Sequence, residues 1–260
     1  MSFFKKIIWF LIRPKYYHQF FSLFLKKLNL YFNKSQENIS LIWCQENALS
    51  TSEALYEITK NSKFVNLKDK FSELYKIADE KVAKCPVKMG GSANTDFLYN
   101  LCEFIEARNV VETGVAYGWS SLSLLLSLKN RDKSLLISTD MPYPGLDNEQ
   151  YVGVVVPDEL KNKWKLISME DKKSLPIALD SFEEIDLCHY DSDKYYEGRM
   201  WAYPLMWEKL RSGGILISDD IENNSAFRDF SKKINKKPIV VNFKNNNKKI
   251  GFQYVGVLIK

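Results

Sequence analysis

Residues 110–128 read Val-Val-Glu-Thr-Gly-Val-Ala-Tyr-Gly-Trp-Ser-Ser-Leu-Ser-Leu-Leu-Leu-Ser-Leu, and this stretch decides the fold. Its start, Val110-Val111, is short, apolar and β-branched, as in a buried strand. The chain then turns through Gly114 and Gly118, and from Ser120 an apolar run with small residues reads as a helix. A strand, a glycine turn and a helix bring backbone N–H groups and a helix N-terminus up to a nucleotide-like ligand. The spacing is Glu-x-Gly-x-x-x-Gly, not the Gly-x-Gly-x-x-Gly of a dinucleotide fold. Ala116, between the glycines, is small enough for a ligand to approach the backbone. Glu112, at the strand end, can accept hydrogen bonds from a ligand's ammonium or hydroxyl groups.

Outward from this stretch, residues 135–140 (Leu-Leu-Ile-Ser-Thr-Asp) read as a second buried strand ending in an acid. About one helix and one strand separate Asp140 from Gly118. The acid therefore lands beside the glycine turn, where a carboxylate can accept both hydroxyls of a ribose. Met141-Pro-Tyr-Pro-Gly145 makes a turn-rich loop at the same edge, the usual place for substrate contacts. Trp164 to Ile167 reads as a third strand, with Glu170-Asp171 beyond it. Ile185 to Asp193 is a fourth strand and its end, and Gly214 to Asp220 a fifth. The helix between them, about residues 197–210, contains Pro204. A unit of this length implies parallel neighbours, which brings Asp191 and Asp219-Asp220 to one sheet edge. Gathered carboxylates repel one another. A hard divalent cation such as magnesium, calcium or manganese is one remedy; loop N–H groups and lysines are another. Pro238 to Phe243 and Phe252 to Ile259 flank a polar turn and read as a terminal antiparallel hairpin. The expected architecture is a doubly wound, Rossmann-like α/β fold. It has a seven-stranded sheet, a C-terminal antiparallel hairpin and a helical N-terminal extension.

Residues 110–128 resemble motif I of the class I S-adenosylmethionine-dependent methyltransferases, and a closing hairpin is the known finish of that fold. The resemblance implies S-adenosylmethionine as cofactor. It would be bound by Glu112, Thr113, Gly114, Ala116, Gly118 and Ser120, with Asp140 on the ribose. Glu170 and Asp171 stand where that family places a polar contact to the adenine, or are simply solvated; Asp191 also borders the cofactor. Asp191-Ser-Asp193 followed by Ser218-Asp219-Asp220 is similar to the macrocin-type O-methyltransferases that modify sugars on natural products, over about residues 90–260. That similarity implies magnesium held by Asp191, Asp219 and Asp220, with Asp193 as general base. Ser192 stands where that family commonly has glycine. His189 is a second candidate base, because alternation puts it on the same sheet face as Asp191. A buried structural histidine is the competing reading.

A length of 260 residues, 45% hydrophobic and 27% charged, suits one globular core with an extension. Four scattered cysteines without a Cys-x-x-Cys pair argue against a zinc site or a disulfide framework and suit the reducing cytoplasm. With only two histidines, a histidine-rich metal site is excluded. The net charge of +5 is uneven: residues 1–34 hold seven basic and no acidic side chains, leaving the rest near −2. Nucleic-acid binding by the main domain is therefore not indicated. The apolar run Ile7 to Ile12 is too short to span a bilayer and no small-residue cleavage site follows it. Tyr17, Phe20, Phe21, Phe24, Leu25 and Leu28 have helical spacing. A basic helix with an aromatic face suits peripheral contact with the inner face of a membrane; the competing reading is packing on the domain or on a second subunit.

Residues 36–40 are polar and read as a linker, so the chain divides into an extension (1–40), a helical lead-in (41–93) and a methyltransferase domain (94–260). In the lead-in, Ser50 and Glu53 have capping-box spacing before a short helix over 54–59, and a second helix runs from about 67 to 83. Gly90 to Asn94 reads as an interhelical loop, with a place along the cofactor entrance as the alternative. Together these readings describe an S-adenosylmethionine-dependent O-methyltransferase. Its acceptor is a small molecule or glycan, specifically a hydroxyl of a sugar or surface-glycan precursor, and a homo-oligomer is left open. The rival readings are a nicotinamide-dependent oxidoreductase, which the missing middle glycine and the hairpin disfavour, and a non-catalytic membrane-surface protein on the same fold.

Overall fold

A computed structural model describes residues 3–17, 20, 30–245 and 251–260. Among these residues the sheet has eight strands: β1 (Ala48–Ser50), β2 (Asn109–Thr113), β3 (Leu135–Thr139), β4 (Trp164–Ile167), β5 (Ile185–Tyr190), β6 (Leu210–Ser218), β7 (Ile239–Lys244) and β8 (Phe252–Ile259). Their order is β1-β7-β8-β6-β5-β2-β3-β4. Every pair is parallel except those of β8, which runs antiparallel to both β6 and β7. The seven expected strands and the terminal hairpin are present. The eighth, β1, pairs with β7 at the sheet edge through Ala48↔Val240 and Leu49↔Val241. Three residues between two helices offer too short an alternation to read as a strand.

Alternation along the strands divides the apolar side chains between two layers. Val110, Leu136 and Leu187 face the helices Thr51–Thr59, Ser72–Lys84, Thr95–Phe104 and Trp119–Leu128. Val111, Ile137 and Cys188 face Asp171–Asp180, Tyr196–Lys209 and Ala226–Lys233. From β2 the chain runs through β3 to β4 on one side, then crosses to β5 and β6 on the other. The C-terminal ends of β2 and β5 therefore flank the crevice where ligands bind in such sheets.

Two local expectations change. Residues 36–40 are not a linker but lie inside one helix, Leu30–Asn47. Glu37, Asn38 and Ile39 are exposed there, while buried Ser40 puts its hydroxyl 2.8 Å from the Ile221 carbonyl. The polarity marks a solvent-facing side of a helix. The helix expected over 67–83 is divided at Phe71 into Leu67–Lys70 and Ser72–Lys84. The Ser50–Glu53 capping box forms as read, at the start of Thr51–Thr59.

At the N-terminus a helix, Phe3–Leu11, leads into a turn at Pro14–Tyr16. Trp9, Phe10 and Tyr16 are buried together, with Phe20 and Met141 packed against them. Of the helical pattern read from Tyr17 to Leu28, positions 21, 24, 25 and 28 lie outside the described residues.

Gly256 in β8 shows how tight the core is: a Cβ there would sit 2.3 Å from Cε1 of Phe227. Gly256→Ala should cost about 1–3 kcal/mol by overpacking. Urea unfolding should show a lower midpoint at unchanged slope; a wild-type midpoint would mean that the ring yields freely.

Candidate active site

A cleft of about 550 Å³ opens at the C-terminal ends of β2, β3 and β5. One wall is the backbone of Gly114, Val115 and Ala116. Gly114 has φ +81° and a Cβ there would lie 2.3 Å from the Asp191 carbonyl oxygen, so only glycine fits. Its N–H donates to the Thr139 carbonyl, and the Asp191 N–H donates to the Thr113 carbonyl. The turn is thereby attached to the ends of both β3 and β5. Gly118, at φ +93°, caps the helix Trp119–Leu128.

Of the residues expected to bind cofactor or substrate, Gly114, Ala116, Ser120, Asp140, Glu170, Asp171, Asp191, Asp193 and Asp220 line this cleft. Glu112, Thr113, Gly118, His189 and Asp219 do not. Thr113 instead meets the Ser192 hydroxyl at 2.9 Å, and Ser192 donates to Asp171 at 2.5 Å. Ser192 thus ties the ends of β2 and β5 to the start of the helix Asp171–Asp180. Glu170 is buried and ion-paired with Lys173 at 2.7 Å.

The buried layer beneath the cleft is charged. Glu112 accepts from Ser121 and Ser138 at one carboxylate oxygen. Its other oxygen stands 3.5 Å from Nδ1 of His189, and Asp219 stands 3.6 Å from Nε2. Burial opposes charge on the imidazole, but the two carboxylates outweigh it and push His189 up to about 10. His189 is fully buried with each ring nitrogen facing a carboxylate, an arrangement that compensates charge beneath the cleft.

In the cleft itself, Lys194 pairs with Asp191 and, at 2.8 Å, with Asp220. Burial opposes its charge, and the two carboxylates raise its pKa nonetheless. Arg199, also buried, donates to the carbonyls of Asp219 and Asp220 at 3.0 Å each. It holds the turn in which Asp220 adopts φ +56°. The set implied for magnesium does not fit a shared cation as arranged. Lys194 already bridges Asp191 and Asp220, while Asp219 faces His189 below. Among the described residues no three His, Cys, Asp or Glu side chains gather as a metal set.

The fit to a nucleoside is better. Asp140 takes the Ala116 N–H at 3.1 Å. Burial pushes its carboxyl up to about 7 against that hydrogen bond, with Asp171 and Glu112 adding to the rise. A desolvated carboxylate beside a backbone wall is a ready acceptor for two hydroxyls, and the cleft volume lies in the roughly 300–1,000 Å³ range of ligand sites.

Residues 111–221 match a family model described as a methyltransferase domain. That match spans the glycine turn after β2 and the acid turn after β6, both of which border the cleft. Solved structures share the fold at low identity. An O-methyltransferase from Bacillus cereus in complex with SAH is 14% identical with TM-score 0.55, over 84% of this chain and 100% of that one. The O-methyltransferase TomG from Streptomyces achromogenes, involved in tomaymycin synthesis and in complex with SAM, is 12% identical with TM-score 0.54, over 88% and 98%. No curated protein matches the chain.

The cleft also includes residues outside the set expected to bind cofactor or metal. Gly90 and Gly91, read as a plain loop, line it, and a Cβ on Gly90 would lie 3.7 Å from that of Ala116. Paired glycines were the available signal. Lys194 also lines the cleft, and its place directly after Asp193 and three residues from Asp191 is the only sequence signal for it. Trp119 and Trp201 also line it without any spacing to mark them, and Tyr143 lines it from the loop read as a place for substrate contacts.

Two outcomes follow for the domain. Asp140 can accept both ribose hydroxyls, one at each oxygen, only as a carboxylate, so S-adenosylhomocysteine affinity should fall as pH drops below about 7, by up to about tenfold per unit. Calorimetry at several pH values checks this, and Asp140→Asn should flatten the profile. His189 has a folded pKa above the 6.5 of an ordinary imidazole, so its stabilisation is complete below that and lost as pH rises through about 10. Melting temperature should decline over that window. His189→Gln should remove the decline and cost roughly 3–5 kcal/mol by leaving two buried carboxylates uncompensated.

Proposed function

We propose that the chain transfers the methyl group of S-adenosylmethionine to a hydroxyl of a sugar or glycan precursor. The observation that carries this reading is the placement of Asp193 in the same cleft as Asp140 and the Gly114–Ala116 backbone. The similarity of Asp191-Ser-Asp193 and Asp219-Asp220 to the macrocin-type pattern supports an oxygen nucleophile on a sugar.

Asp140 and the backbone at 114–116 would hold the nucleoside, and Asp171 borders the same wall. Bound there, S-adenosylmethionine supplies an electrophilic methyl group. The chain's own work is alignment and proton removal. Asp193 accepts the Tyr195 N–H at 3.0 Å, which orients its carboxylate. It also lies against Gly198, where a Cβ would fall 2.1 Å from Oδ2. From that position Asp193 would take the acceptor's hydroxyl proton as the carbon–oxygen bond forms and the methyl carbon–sulfur bond breaks, with S-adenosylhomocysteine as the leaving group. Lys194 meanwhile offsets part of the charge of Asp191 and Asp220 beside it. Magnesium assistance would require Lys194 to leave those carboxylates, and no step here depends on it.

Asp193→Asn should lower turnover about 10²–10⁴-fold while S-adenosylhomocysteine affinity stays within about twofold. Methyl transfer to nucleotide sugars and glycolipids, followed with labelled cofactor, reads the first, and calorimetry reads the second. Loss of cofactor binding in this variant would remove Asp193 from the base role. Binding of NAD in place of S-adenosylhomocysteine by the wild type would overturn the reaction class.

A further inference from the structure

The helix Phe3–Leu11 and the turn after it have two unlike faces. Trp9 and Phe10 are 3% and 4% exposed, whereas Ile8, Leu11 and Ile12 are 56%, 62% and 67% exposed. The exposed residues recur at i, i+3 and i+4, so the aliphatic side chains share one face. Three neighbouring aliphatic side chains left in water on a short element call for a partner. Lys6 is exposed on the same helix. All seven ionisable side chains in residues 1–34 other than histidine and tyrosine are basic.

That charge selects the partner. A second copy of the chain would bring one wholly basic segment against another, and like charges oppose such a face-to-face contact. An anionic lipid surface satisfies both features: aliphatic chains enter the headgroup boundary and the basic side chains meet lipid phosphates. Among the described residues no helix is long and apolar enough to cross a membrane, so the contact is with the surface.

The buried face connects this segment to the cleft. Trp9 stacks on Tyr16 with ring centroids 5.1 Å apart, Arg13 lies 4.7 Å over the Trp9 ring, and Met141 packs against the cluster. Met141 also lines the cleft. Arg13 donates to Asp147 at 2.9 Å and lies 3.6 Å from Glu149, on the stretch that follows Met141. We propose that Ile8, Leu11 and Ile12 seat the protein on an anionic bilayer surface, and that the buried face of the same segment transmits this seating to the Met141 wall of the cofactor cleft.

The test uses the full chain with phosphatidylcholine vesicles, with and without phosphatidylglycerol. Wild type should co-sediment with the anionic vesicles only, and less as salt is raised. The double variant Ile8→Glu, Leu11→Glu should bind them at least tenfold more weakly, with melting temperature and S-adenosylhomocysteine affinity in solution unchanged. Equal sedimentation with neutral vesicles, or wild-type binding by the double variant, overturns the surface. Dimerisation lost in the double variant, with no vesicle binding by wild type, would assign the face to a second copy. For the coupling, anionic vesicles should tighten S-adenosylhomocysteine binding several-fold in wild type but not in Arg13→Gln, which should still sediment. Unchanged affinity on vesicles overturns the coupling. This half rests on the cofactor reading: a wild type that binds no S-adenosylhomocysteine at all refutes that reading, while sedimentation still decides the surface.

Discussion

Parallel strands deliver their C-terminal acids to one edge, and the need to compensate those acids governs this site. β2, β5 and β6 are neighbours, with Glu112 opposite His189 and His189 opposite Ile217. Glu112, Asp191, Asp219 and Asp220 consequently end near one another with little solvent. Carboxylates so placed would repel and draw protons unless cations stood between them. His189 answers for Glu112 and Asp219 in the buried layer, and Lys194 answers for Asp191 and Asp220 in the cleft. The two cations divide the cluster into a layer sealed from water and a layer that meets the ligand.

The turn after β6 shows how that division is kept. Asp219 must point inward and Asp220 outward, and the reversal is made by the left-handed backbone of Asp220. Arg199 secures both carbonyls from the helix side. Ser40 reaches the same turn from the helix Leu30–Asn47, and Glu222 accepts the Tyr254 N–H of β8 at 3.3 Å. The residues before the glycine motif thus take part in the site's scaffold: Leu30–Asn47 buttresses the acid turn and β1 extends the sheet. This is why a polar stretch that reads as a linker is an ordered helix.

Much of the fold was legible because its signals are local. Val110-Val111 before Gly114 and Gly118 specifies strand, turn and helix through backbone sterics alone. Apolar runs ending in Asp140, Asp191 and Asp219 mark parallel strands, and the apolar segments around Asn245 mark a hairpin. The Ser50–Glu53 spacing specifies a cap. β1 was not legible, since three residues have no period and their pairing with β7 is made across nearly the whole chain. The break at Phe71 likewise has no proline or glycine to announce it.

For the site, sequence by itself determined which residue types would reach the sheet edge, because strand order and alternation follow from the pattern. It determined that Asp140 would stand at the glycine turn and that acids would converge near Asp191. Only the tertiary structure decided what each acid faces. A one-residue step along the Asp219-Asp220 turn sends one carboxylate down to His189 and the next up to Lys194, and no spacing rule encodes that. It also decided that Lys194 lies between Asp191 and Asp220, and that His189 lies below the cleft. The physical reason is that compensation of buried charge is a three-dimensional balance among groups brought together from separate strands, helices and turns.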